Sequence, residues 1–162
     1  MRFLALSLVL AASLPAMTMQ LGRGLGPYRI GQQRSIHPGL IRTVRRPQND
    51  AGGCSGGFQL DSYIDVYPGL KLGYIFTFAR KTYLDSISTT RRGDRTSFGY
   101  TIGTTRLSEV RRRYPRLVLS RHPGGSTLTV VHKTGDETAA ELRYSFDAND
   151  RLIGLFTGVG GC

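Results

Sequence analysis

The chain has 162 residues, with 22 Lys and Arg against 11 Asp and Glu for a net charge of +11, 21 glycines, no tryptophan and two cysteines. A length of this order is one ordinary domain that can bury a hydrophobic core without a structural metal. Two thiols and three scattered histidines, His37, His122 and His132, fall short of the three or four convergent donors that a metal site needs, so no cofactor is expected.

Residues 1–19 read as a signal peptide. Arg2 precedes an apolar run from Phe3 to Leu14, and small residues with Pro15 follow, which is the order of charged, apolar and cleavage regions in a secretory leader. The run is roughly a dozen residues, short of the ~20 that a spanning helix needs. Cleavage after Ala16 fits, with Ser13 and Gln20 as other borders. No cysteine follows the run closely, so a lipid anchor of the bacterial lipoprotein kind has no attachment residue. The product is expected free in the periplasm or secreted. In that oxidising compartment Cys54 and Cys162 are expected to form a disulfide, fastening the tail that begins at Gly158 to the middle of the chain.

Beyond the leader, residues 20–90 and 91–162 read as two units. In the first, Pro38 of His37-Pro38-Gly39 denies a helix more than about a turn. Arg42 to Gly57, with Arg45, Arg46, Pro47 and four glycines, reads as a long exposed basic loop carrying Cys54. Strands are expected at 58–66, 70–78 and 81–88, with Pro68-Gly69 as a turn. Thr89 to Arg95 reads as a linker, and its Arg92-Gly93-Asp94 tripeptide is too short a match to carry an adhesion function. In the second unit Leu107, Val110 and Tyr114 fall on one helical face. Thr105 suits the N-cap and Pro115 the stop, while Glu109 and Arg111 to Arg113 suit the helix dipole. Strands are expected at 117–120, 127–132, 139–146 and 152–157, separated by turn-rich segments that make an antiparallel meander.

The units echo each other. Tyr28-x-Ile30-Gly31 recurs as Tyr100-x-Ile102-Gly103, 72 positions on. Phe76, Phe78, Leu84 and Ile87 match Tyr144, Phe146, Leu152 and Leu155 without a gap at an offset of 68. Two matches in the same order suggest two divergent copies of a unit of ~70 residues. The expected fold class is α+β, antiparallel sheets with few short helices.

The stretch Ile102 to Pro115, Ile-Gly-x-Thr followed by Glu109, Val110, Tyr114 and Pro115, resembles the helix start of small envelope-associated bacterial modules. These are the β-lactamase-inhibitory-protein-like repeats and the outer-membrane assembly lipoproteins related to them. The resemblance covers the second unit and the strands of the first. It implies a helical segment before a four-stranded antiparallel sheet, a unit that in that family sometimes occurs twice in one chain, and binding proteins, not enzymes.

Asp61 and Asp65 share a strand face at i and i+4. Paired carboxylates serve hydrolases when they flank a substrate bond, but solvated partners for nearby arginines are the plainer reading, and no Ser, His and acid arrangement is recognisable by spacing. The basic residues are the stronger lead. Arg42, Arg45 and Arg46 in the first unit, and Arg111, Arg112 and Arg113 at the helix end, are candidates for binding an anion or a partner, because the guanidinium fork pairs bidentately with phosphate and carboxylate. Further arginines at 91, 92, 95, 116 and 121 extend the basic character. Ordered stacking aromatics among them, which nucleic acid would call for, are not evident. The sequence therefore points to an exported, non-catalytic binding module for an envelope or secreted protein, or for an anionic polymer or lipid surface. A small secreted hydrolase and a structural envelope protein are the alternatives.

Overall fold

A computed structural model describes residues 15–48, 60–76, 81–133 and 138–161. Cys54 and Cys162, and with them the expected disulfide, lie outside the described residues. In chain order the elements are β1 (Thr18–Gln20), β2 (Gly24–Leu25), β3 (Tyr28–Arg29), β4 (Arg42–Gln48), β5 (Leu60–Tyr67), β6 (Leu70–Phe76), β7 (Thr82–Thr89) and β8 (Arg95–Thr96). Then follow the helix α1 (Leu107–Arg113), β9 (Leu119–His122), β10 (Gly125–Lys133), β11 (Thr138–Phe146) and β12 (Leu152–Gly161).

Period-two alternation puts apolar side chains on one face of each long strand, and pairing merges those faces. The larger sheet has eight strands in the order β4-β5-β6-β7-β12-β11-β10-β9, all antiparallel. It is two meanders, β4 to β7 and β9 to β12, joined along their last strands. Tyr74, Leu72, Leu84, Ile87, Leu142, Tyr144 and Leu128 on one face are buried with Met19, Leu25, Ile102, Leu107 and Val110 from the segments laid across it. Each such side chain contributes about 1.5–3 kcal/mol.

The segments on that face are a four-stranded sheet, β3-β2-β1-β8, and α1. β1 pairs antiparallel with β2 and parallel with β8, so it ties the two lead-ins together. β1 begins inside the stretch that reads as leader. The described residues are mostly β, with one seven-residue helix among them: the antiparallel sheets are as expected, but the class is mostly β and not α+β. The reason is local: glycines at positive φ and Pro38 interrupt any helix in residues 20–41, whose backbone groups pair as short strands instead.

Each lead-in joins the sheet by the same kind of bonds. Gly31 N–H donates to the Leu84 carbonyl at 2.7 Å, and Gly103 N–H to the Leu152 carbonyl at 2.8 Å. Leu84 N–H donates to Gln32 and Leu152 N–H to Thr105, both at 2.9 Å. Arg34 N–H donates to Thr82 at 2.8 Å and Leu107 N–H to Asp150 at 2.9 Å. Gly31 and Gly103 have φ of +84° and +92°, a region costly for any residue with a Cβ. One residue bulges from each last strand, Asp85 after Leu84 and Ile153 after Leu152. The register sets Tyr74 opposite Leu84 and Phe146 opposite Leu152. The offset of 68 therefore applies to β7 and β12 alone, and β6 stands to β11 at an offset of 72.

Three further expectations are corrected. Arg42 to Gln48 is an edge strand and not loop, because Arg42, Val44 and Arg46 alternate in register with β5, and an edge strand tolerates Pro47. The N-cap is Arg106, whose N–H bonds Glu109 Oε1 at 2.8 Å. The Thr105 hydroxyl oxygen is already engaged, accepting the Thr101 N–H at 2.8 Å. The stretch from Thr89 to Arg95 is a tight turn between β7 and β8 that buries Asp94 completely, not an open linker. No helix among the described residues is long and apolar enough to cross a membrane.

Candidate functional site

The helix and the smaller sheet lie on one face of the eight strands, and the other face is open. At its centre the facing positions are Ser86 and Ser88 on β7, Gly154, Phe156 and Gly158 on β12, and Glu141, Arg143 and Ser145 on β11. Apart from the glycines, each of these keeps solvent exposure. Small residues in the two middle strands leave a flat floor. A groove of about 320 Å³ crosses it, lined by Ser88, Thr90, Arg143, Ser145, Ile153 and Phe156. The Arg143 guanidinium stacks 4.9 Å from the Phe156 ring centre and donates from Nε to Glu141 at 3.0 Å. One wall of the groove is thus an ion-paired guanidinium, which also donates from Nη2 to Glu141 at 2.5 Å, with an apolar flank, and its remaining N–H groups suit a polar or aromatic group on a partner.

The candidate arginines do not converge on one site. Register puts Arg42 and Arg46 on the open face of the edge strand β4 and Arg45 on the opposite face, beside Tyr63. Arg111, Arg112 and Arg113 are exposed at the end of α1, on the covered side of the sheet. There Arg113 stacks 3.9 Å from the centre of the Phe98 ring.

Asp65 is fully buried, where a solvated ion pair was expected. Arg34 grips it from Nε at 2.9 Å and Nη2 at 2.6 Å, and Thr43 Oγ1 donates to the same carboxylate at 2.6 Å. Hydrogen bonding to Asp65 raises the pKa of the Arg34 guanidinium, which also lies 5.4 Å and 5.8 Å from the Tyr63 and Tyr74 ring centres. Burial, then the Asp65 charge, pushes the Tyr74 hydroxyl far above its ordinary value. Both Asp65 oxygens are occupied by donors, so this carboxylate is built as an ion-pair partner. The side chain of Asp61 lies outside the described residues. His37 bonds Ser35 and packs edge-on to Tyr28, and the ring of His122 bonds Thr127. No group of three or more potential metal ligands occurs among the described residues.

A second concavity, about 500 Å³, lies beside the smaller sheet and is lined by Met17, Pro27, Tyr28, Pro38, Tyr67 and Pro68, with Pro15 and Arg91 at its side. Arg91 donates to the Pro15 carbonyl at 3.0 Å, and the Tyr67 hydroxyl accepts the His37 N–H at 3.3 Å. Burial raises the pKa of Tyr28. In the sequence Gly26-Pro27, Pro38-Gly39 and Pro68-Gly69 signal turns only, and nothing in their spacing shows that they meet. The open-face groove escapes sequence reading for a related reason: Ser88, Ser145 and Gly154 look like weak strand, and only register brings them together. No family model, curated protein or solved structure matches the chain.

Proposed function

We propose that the chain is an exported, non-catalytic binding module, acting in the periplasm or outside the cell, that docks an envelope or secreted protein on the open face of its eight-stranded sheet. The observation that carries this reading is the groove across β7, β12 and β11, with the Arg143 and Phe156 pair on its wall. A floor of mostly small residues beside the stacked Arg143–Glu141 pair lets another protein's backbone come close while the remaining Arg143 N–H groups set its orientation. The chain is further proposed to be two divergent copies of one unit. The matched bonds at Gly31 and Gly103, the matched bulges at Asp85 and Ile153, and the sequence resemblance to envelope modules support that view.

The test is a pull-down of the mature, oxidised protein against its own cell-envelope extract at low and high salt. The expected result is one protein held in fixed stoichiometry at high salt, lost in Arg143→Glu and Ser88→Tyr, and kept when Arg111, Arg112 and Arg113 are changed to Gln. Capture of polyanions alone, released as salt rises, would leave charge as the whole explanation and overturn the docking surface.

A further inference from the structure

The nitrogen of Met17 donates to Asp94 Oδ1 at 2.8 Å. Asp94 is fully buried, and its other oxygen accepts the Thr89 hydroxyl at 2.6 Å. Among the described residues Asp94 has no ion pair with Lys or Arg. A buried carboxylate without a cation is costly. The chain around Met17 is held independently of what precedes it, since the Met17 carbonyl accepts the Arg95 N–H at 2.9 Å and the next residues form β1. Residues 15 and 16, in contrast, are exposed.

The three borders suggested by the sequence differ in what they leave. A cut after Gln20 removes β1 and with it Met19, which has no exposed surface. A cut after Ser13 leaves Leu14, Pro15 and Ala16 as an overhang, with Met17 still an amide. A cut after Ala16 frees the one nitrogen that already points at Asp94. Resting on the exported reading above, we infer that the leader is removed at Ala16–Met17 and that the new α-ammonium of Met17 forms a buried ion pair with Asp94. Hydrolysis consumes one water, whose oxygen ends in the Ala16 carboxylate and whose two protons end on the Met17 nitrogen. The precursor then holds a carboxylate with hydrogen bonds but no cation in its core and the mature protein a charge-paired one, so processing itself completes the fold. It also removes Pro15 from the wall of the 500 Å³ pocket and releases Arg91 from the Pro15 carbonyl.

The ionisable groups facing this corner are Asp94 and Arg91 from the β7–β8 turn, Tyr28 from β3, Tyr67 from β5 and Arg95 from β8. The carboxylate raises the ammonium pKa, so the stabilisation is full below the unfolded α-amino value of about 8 and is lost as pH rises through the higher folded value.

The full 162-residue chain is expressed in a bacterium with an active secretory pathway, and the exported product is read by intact mass and N-terminal sequencing. A start at Met17 is expected. A start at Leu14 or Leu21 overturns the inference and leaves export standing, whereas a product retaining Met1 overturns both. Urea unfolding is then compared for the Met17-start protein and for one retaining Leu14, Pro15 and Ala16, each with and without Asp94→Asn. The substitution is expected to lower the folding constant of the Met17-start protein on the order of tenfold or more and to leave the extended form unchanged or more stable. Equal effects in both forms overturn the ion pair. Should Asp94→Asn fail to fold, the unmutated pair decides: between pH ~8 and ~10, below the range where buried tyrosines affect both forms, only the Met17-start protein is expected to lose stability.

Discussion

Arg34 and Leu107 enter the sheet through the same kind of bond, the first to the carbonyl of Thr82 and the second to that of Asp150. Asp65 stands opposite Leu72 in the first meander as Leu128 stands opposite Tyr144 in the second. At these corresponding places one half holds a bidentate ion pair and the other holds two buried leucines. The backbone bonds are what the halves share, and the core chemistry is free to differ as long as each buried carboxylate finds donors. The same contrast recurs at the bulges, where the first half has Asp85 and the second Ile153.

The largest expected effect concerns the link between the halves. By strand direction β4 ends, β5 begins and β12 ends at the same end of the sheet. Cys54 follows β4 and Cys162 follows β12, so a bond between them would close the two meanders on each other. Cys54→Ser is expected to cost about 4–5 kcal/mol on the chain-entropy account of a loop of this length, measured by urea unfolding. The oxidised wild type should weigh two hydrogens less than the reduced chain.

Next in size is the exchange of core chemistry. Arg34→Leu alone strands the buried Asp65 and is expected to cost about 3–5 kcal/mol. The double change Arg34→Leu with Asp65→Leu copies the second half and is expected to recover most of that loss. A double variant no better than the single would show that the two frames are not interchangeable.

Smaller effects probe the frame itself. Gly31→Ala and Gly103→Ala each force a Cβ into the left-handed region and are expected to cost about 1–2 kcal/mol, by thermal or urea midpoint. Open space surrounds Gly31, whereas the aliphatic part of the Arg92 side chain lies 3.1 Å from a Cβ at Gly103, so Gly103→Ala should be the worse of the two. Smallest is Asp85. Burial raises its pKa, and the Ser86 hydrogen bond only partly opposes this. A raised carboxyl favours the fold below its unfolded value near ~3.9 and loses that advantage as pH climbs through the folded value. Asp85→Asn is expected to stabilise the protein slightly at neutral pH and to flatten its stability profile on the acid side. An unchanged profile would mean that the bulge leaves Asp85 in water.

Much of the strand order was legible in the residues. Alternating apolar positions, with turn residues between them, mark β5 to β7 and β10 to β12, because side-chain period and turn conformation are local properties of the chain. The repeated Tyr-x-Ile-Gly is local in the same sense, since a glycine at positive φ followed by a strand bond needs only its neighbours. The strand character of Arg42 to Gln48 was not legible, because arginines and a proline make a strand only when a partner satisfies their backbone. The burial of Asp65 was equally hidden, because it depends on Arg34, 31 residues away. So were the convergence of three proline turns into one pocket, the juxtaposition of Ser88, Gly154 and Ser145 in the groove, and the meeting of the Met17 nitrogen with Asp94, 77 residues on. By itself the sequence determined most of the long strands and the repeated Tyr-x-Ile-Gly, because those depend on composition and short-range sterics. Only the tertiary structure decided which residues face one another, because register and sheet order bring together positions whose separation along the chain carries no signal.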